Sequence, residues 1–206
     1  MSDPISELQR HLPEGTAERI HALINKKNLL LKITRHRKSK FGDYRPPQGD
    51  VKHHTITVNG TLNPFAFLIT FLHEYAHLQI FELHKGSVSP HGKEWKTAFA
   101  LLLQEELSLG TFPSDLIPSL KKYLTNPKAS TFSDPRLYEA LRLHDDPINV
   151  NKPLLKSLNP NSIFRIGKKH FKKGQLRRTR FVCKELNTGK QYLVHKNAEV
   201  IPLEIP

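Results

Sequence analysis

Apolar positions along this chain recur first at helical and then at strand spacing. Ser6 to Leu12 and Thr16 to Ile24 carry apolar residues three and four apart, so Ile20, Leu23 and Ile24 can share a face. Pro13 and Gly15 separate these two short helices. Asn28 to Arg35, NLLLKITR, is rich in Leu and Ile and reads as a strand, and Arg35 to Pro47 reads as a charged loop ending in Pro-Pro. His53 to Asn59, HHTITVN, alternates Thr with Ile and Val, the pattern of a half-buried strand. A helix then starts at Thr61, or at Asn63 with Pro64 in its first turn, and runs to about His84. After a loop over Gly86 to Pro90, a second long helix spans roughly Lys93 to Leu107. It presents Trp95, Phe99 and Leu102 or Leu103 on one face, and Gly110 ends it. Ser114 to Leu124 and Asp134 to Leu143 predict shorter helices.

The pattern changes at Asp145 to Asn161, a stretch rich in Pro and Asn that marks a domain boundary. The expected organisation is one domain over residues 1–145 and a basic β-rich module over residues 146–206. Three short β-like runs make up that module: Ile163 to Ile166, Thr179 to Glu185 and Gln191 to His195, with Asn187-Thr188-Gly189 as a turn. They predict a small barrel or a three-stranded sheet. The fold class is α+β, helices on a small sheet followed by a small β module.

Composition narrows the class. Among 206 residues, 37% are hydrophobic and 25% charged, as in soluble globular proteins. No run of about 18 uncharged apolar residues exists, so no membrane span is expected. Phe65 to Leu72 is short and runs directly into His73 and Glu74. MSDPISELQR lacks the basic-then-apolar pattern of a secretory signal. The single cysteine, Cys183, can form neither an internal disulfide nor a Cys-pair zinc site, and reads as a small buried hydrophobe. The expectation is a cytoplasmic protein.

Charge is unevenly distributed. From Asn151 onward there are thirteen Lys and Arg against three Glu, which is about ten of the thirteen net positive charges. Such a segment on a near-neutral body points to a polyanionic partner, most often nucleic acid, although no sequence-specific DNA-binding motif accompanies it. The alternative is a solvated basic surface. Within KKHFKKGQLRRTR, the candidate phosphate contacts are Lys168, Lys169, Lys172, Lys173, Arg177, Arg178 and Arg180. Phe171 or Phe181 would stack on a base or fill the module's own core.

The strongest chemistry lies in HEYAHLQIFELHKGSVSPHGKEW, residues 73 to 95. His73 and His77 are four apart on a helix and point the same way. Glu74 lies beside the first, placed to reach a water on a metal ion rather than the ion itself. Neutral imidazoles bind zinc without cancelling its charge, so the ion can acidify water, and the carboxylate takes the proton and returns it to the leaving amine. A catalytic zinc needs a third protein ligand. His84 lies about 10 Å along the helix from His77. Glu94 is an alternative drawn from the following helix. His91 is the preferred candidate: it begins that helix, and Gly92 lets the backbone pass close. His53 and His54 read as strand histidines, one of which can face the cleft. Tyr44 or Arg45 can supply an oxyanion donor or simply solvate a loop.

HEYAHL followed by SPHGKEWK resembles the SprT family of zinc metallopeptidases, whose pattern is H-E-x-x-H and then H-G-x-x-[WF] about a dozen residues on. His73, Glu74, His77, His91, Gly92 and Trp95 match it position by position, and KFGDYRPP and HHTITVN resemble its upstream loop and strand. The resemblance covers roughly Ser6 to Tyr123. It implies a compact zincin-like protease fold, one Zn2+ per chain on His73, His77 and His91, Glu74 as general base, and protein or peptide substrates, in some members bound to DNA. Relatives often end in a zinc ribbon built on two cysteine pairs, which Cys183 alone cannot form. The competing reading is a nucleic-acid-binding, transcription-associated protein with a purely structural zinc.

Overall fold

The computed structural model describes residues 3–35, 40–128, 133–145 and 153–203. The chain divides into two units, Met1–Asp145 and Asp146–Pro206, each with its own apolar core. Residues 36–39 of the predicted loop and 146–152 of the predicted boundary lie outside the described residues.

In the first unit, Asp3 caps helix α1 (Pro4–Gln9) by accepting from the backbone N–H groups of Ile5 and Ser6. Helix α2 (Ala17–Lys26) follows and buries Ala17 and Ile20. Strand β1 (Leu29–Thr34) pairs in parallel with β3 (His54–Asn59), and β2 (Gly42–Arg45) pairs antiparallel with the other side of β3. Strand β2 was expected as loop. Its charges masked it: Asp43 sits between Lys40 at 2.7 Å and Arg45 at 3.0 Å, while Tyr44 turns inward onto His54 and Phe81.

Helix α3 (Pro64–His84) is the centre of this unit. Its N-cap is Asn63, whose Oδ1 accepts from Ala66 N–H at 2.9 Å, with Pro64 in the first turn. Every residue from Ala66 to Ala76 is buried, because the sheet lies on one side and helix α4 (Lys93–Ser108) on another. Helix α4 contributes Trp95, Phe99 and Leu103 to the core. Helices α5 (Ile117–Leu124) and α6 (Pro135–Arg142) add Leu120, Tyr123, Leu137 and Leu141. The buried carboxylate of Glu106 accepts from Arg19 Nη2 and from the Thr111 hydroxyl, both at 2.6 Å. The helices and small sheets agree with an α+β class. No described helix is long and apolar enough to cross a membrane.

The second unit is a five-stranded antiparallel sheet in the order β7-β6-β5-β4-β8 among the described residues. The strands are β4 (Ile163–Ile166), β5 (Lys169–Arg177), β6 (Arg180–Glu185), β7 (Gln191–His195) and β8 (Ile201–Leu203). Three strands were expected. Strand β5 was hidden because its outer positions are cationic and a bulge between Lys173 and Leu176 breaks the alternation. Gly174 is required there, since a Cβ at that position would lie 2.1 Å from the Val182 carbonyl oxygen. Part of the expected boundary is also core: Leu154 bridges to Glu199, and Leu155 packs with Phe164, Phe171, Phe181 and Cys183.

Asn63 does more than cap α3. Its Nδ2 donates to the Leu141 carbonyl at 2.9 Å and to Asp145 Oδ1 at 2.6 Å, tying α6 to the start of the central helix. Replacing Asn63 with Ala is expected to cost about 1–3 kcal/mol in urea unfolding, because a buried N–H and a carbonyl lose their partners. An unchanged unfolding midpoint would contradict this linkage.

Candidate metal centre

Three imidazoles converge at the seam between α3 and the start of α4. His73 and His77 lie one turn apart on α3. His91 reaches them from the connecting segment. His73 Nε2 is 3.2 Å and His77 Nε2 2.9 Å from His91 Nε2, and one nitrogen from each ring lies within 4.8 Å of the others.

The connection is built for this return. Lys85 caps α3 in the left-handed region at φ 51°, and Gly86 follows at φ 84°. Ser87 N–H then bonds to His84 O at 2.9 Å, and Gly92 N–H to Ser89 O at 3.0 Å. A Cβ at Gly92 would lie 2.9 Å from Ser89 O, so the tight approach needs glycine. His91 itself sits at φ 61°, a conformation that costs a non-glycine residue about 1–2 kcal/mol. Trp95 fixes the group from behind. Its indole N–H donates to the His73 carbonyl at 3.3 Å, and its ring contacts all three imidazoles at centroid distances of 4.5 to 5.3 Å.

Electrostatics leave the rings neutral. Burial pushes His73 down to about 3, with the charges of His77 and His91 adding to it, and burial followed by His91 pushes His77 to about 4. His91 is lowered by burial too. Near neutral pH three lone pairs therefore face one small space, which suits a cation. Ligand nitrogens about 2.0–2.1 Å from a tetrahedral zinc stand about 3.3 Å apart, near the two separations to His91 of 3.2 and 2.9 Å. His73 Nδ1 is buried without a hydrogen-bond partner. The rings of Trp95 and Phe99, at 4.5 and 5.6 Å, orient it by packing instead.

Glu74 is only 8% exposed, beside β2. A Cβ at Gly42 would lie 2.7 Å from Glu74 Oε1 and 2.7 Å from Thr70 Cγ2, so the strand can cross here only as glycine. The other candidate residues have surroundings of their own. His84 and Glu94 line a separate groove with Ile80, Leu83 and Leu101. Tyr44 and His54 bond to each other at 2.9 Å, and His54 Nε2 faces Glu82 at 3.8 Å, itself held by Lys27 at 2.6 Å. Arg45 is exposed and pairs with Asp43.

The seven basic candidates separate by strand geometry. Lys172, Arg177 and Arg180 are exposed on the outer face of the second unit's sheet, while Lys168 and Arg178 lie in turns. Lys169 turns to the inner face and meets Glu185 at 3.2 Å and the Tyr192 hydroxyl at 3.0 Å. Lys173 is a correction: it is 4% exposed, its ammonium donates to the carbonyls of Lys156 and Leu158, and it lies 4.2 Å from the Phe181 ring centroid. It is not placed to meet a solvent-borne phosphate. Phe171 and Phe181 are buried in the unit's own core, and so is Cys183. The sequence reading missed Arg165, His170, Lys184 and His195, which share the outer face through strand register. Period-two alternation was the available signal.

The geometry defines a class: a mixed α/β protein whose two central helices and their connection gather three neutral imidazoles, with a buried carboxylate, Glu74, following the first of them on the same helix. The chain belongs to the SprT-like family, whose model matches residues 6–111. No curated protein and no solved structure matches it.

The left-handed backbone at His91 generates a prediction for the metal-free protein. His91→Gly is expected to be more stable than His91→Ala by about 1 kcal/mol in denaturant unfolding, since both lack the imidazole and only glycine relieves the strain. Equal stability of the two variants would contradict the strained backbone.

Proposed function

We propose that this protein is a zinc-dependent endopeptidase of SprT type, with a zincin-like catalytic domain and one Zn2+ on His73, His77 and His91. The observation that carries this reading is the convergence of the Nε2 atoms of His73, His77 and His91, with the buried Glu74 directly following His73 in helix α3. Membership of the SprT-like family supports it. Zinc bound there would acidify a water and polarise the scissile carbonyl. Glu74 acts as general base: it takes a proton from the attacking water and passes it to the departing amine nitrogen, leaving a carboxylate and an amine. Burial holds the imidazoles neutral, which keeps the site's positive charge on the metal. A purely structural zinc site does not need a carboxylate at position 74. The cationic second unit favours protein substrates lying on nucleic acid, met in the cytoplasm.

Purified protein is expected to hold about one zinc per chain by metal analysis. Glu74→Gln should keep that zinc and lower cleavage of a basic protein substrate by at least about 100-fold, read on gels with and without single-stranded DNA. Cleavage by Glu74→Gln at the parent rate would remove the mechanism.

A further inference from the structure

The sheet of the second unit presents a face that is cationic across several strands. Strand pairing places Lys172 directly opposite Lys184, and Arg177 directly opposite Arg180. Arg165 and His170 pair on the same side, and His195 lies opposite Arg180. Among the described residues, no Asp or Glu occupies this face. The acid of the β5–β6 pair, Glu185, turns inward with Phe171 and is held by Lys169 and the Thr188 hydroxyl. Like charges directly opposite one another destabilise a sheet. Two such pairs, with no neutralising partner among the described residues, make the face complementary to a repeating anion. A shallow groove of about 330 Å³ runs here, lined by Lys172, Arg177, Lys184 and Gln191. His195 is lowered by burial and by Arg180 and Lys196, in keeping with a positive surrounding.

We propose that this outer face, through Lys172, Lys184, Arg177 and Arg180, docks on the phosphate backbones of duplex DNA. Spacing is compatible with the duplex. The Lys172/Lys184 and Arg177/Arg180 pairs stand four residues apart on β6, about 13 Å at strand rise. That is comparable to the roughly 12 Å width of the B-DNA major groove, so each pair can reach one of the two flanking backbones. Chemistry agrees. The described Phe and Tyr side chains of the sheet face inward: Phe164 stacks on Phe171 at 5.6 Å, and Tyr192 contacts Phe171 at 5.5 Å. The outer face therefore lacks the Phe or Tyr platform on which single-stranded bases stack. Recognition is of backbone charge, independent of sequence. This deepens the nucleic-acid part of the function proposed above and is independent of its peptidase part.

The test is fluorescence anisotropy of the full chain carrying Glu74→Gln, with a duplex of about 20 base pairs and a single strand of equal length, over a range of salt. Lys184→Glu combined with Arg180→Glu turns both like-charge pairs into opposite-charge pairs. Its melting temperature is therefore expected to hold or rise while duplex binding weakens at least about tenfold and the log–log salt slope falls by about two. Lys121→Glu with Lys122→Glu, an equal charge change on exposed α5 residues, should leave binding within about twofold. Unaltered binding by the sheet variant, an equal loss in the α5 variant, or tighter binding of the single strand would overturn the proposal. A parent chain that binds no duplex at low salt would overturn the nucleic-acid reading as well. Binding that persists in the sheet variant overturns the choice of face alone.

Discussion

Helix α3 is enclosed by protein over most of its length, and that enclosure makes every polar side chain on it costly. A polar group taken out of water without a partner costs on the order of 1–3 kcal/mol by mutational measures. Yet His73 and Glu74 are 7% and 8% exposed in the middle of an apolar run, FAFLITFL before them and Leu78 after. The arrangement is tolerable because these side chains point into two seams rather than into the core. His73 and His77 turn towards the return of the chain at His91, and Glu74 turns towards β2. The rest of the first unit can be understood as what those two seams require.

On the imidazole side, Trp95 is the keystone. One indole touches three rings and the His73 carbonyl, so it sets both the approach of α4 and the aim of the candidate ligands. The turn at Lys85–Gly86, the close pass at Gly92 and the left-handed backbone of His91 bring the third ring round. Backbone strain at such a residue is stable only when its surroundings over-determine it. On the carboxylate side, Gly42 brings an edge strand to within contact of Glu74. Tyr44, two residues on, locks the same strand to His54 and Phe81.

The first unit's candidate site was legible because its signals are local. Four-residue spacing puts two histidines on one helix face, and the Asn63-Pro64 cap and the apolar run fix the helix that carries them. His91 was preferred because it follows a glycine-containing loop and Gly92 beside it lets the backbone pass close. What the sequence hid was non-local. Strand β2 reads as a charged loop until its antiparallel pairing with β3 and the packing of Tyr44 on Phe81 are seen. In the second unit, alternation was broken by a bulge, so Lys173 was grouped with exposed cations although it folds inward onto Phe181. Lys184 was passed over because only cross-strand register places it opposite Lys172.

The central claim is that imidazoles from His73, His77 and His91 hold one ion together. X-ray absorption on the zinc-loaded protein tests it most directly, because it reads the ligand shell of the bound metal. The account predicts a four-coordinate zinc with three imidazole nitrogens at about 2.0–2.1 Å and one oxygen from water. A shell with two imidazoles or fewer, or no zinc bound at all, would contradict it.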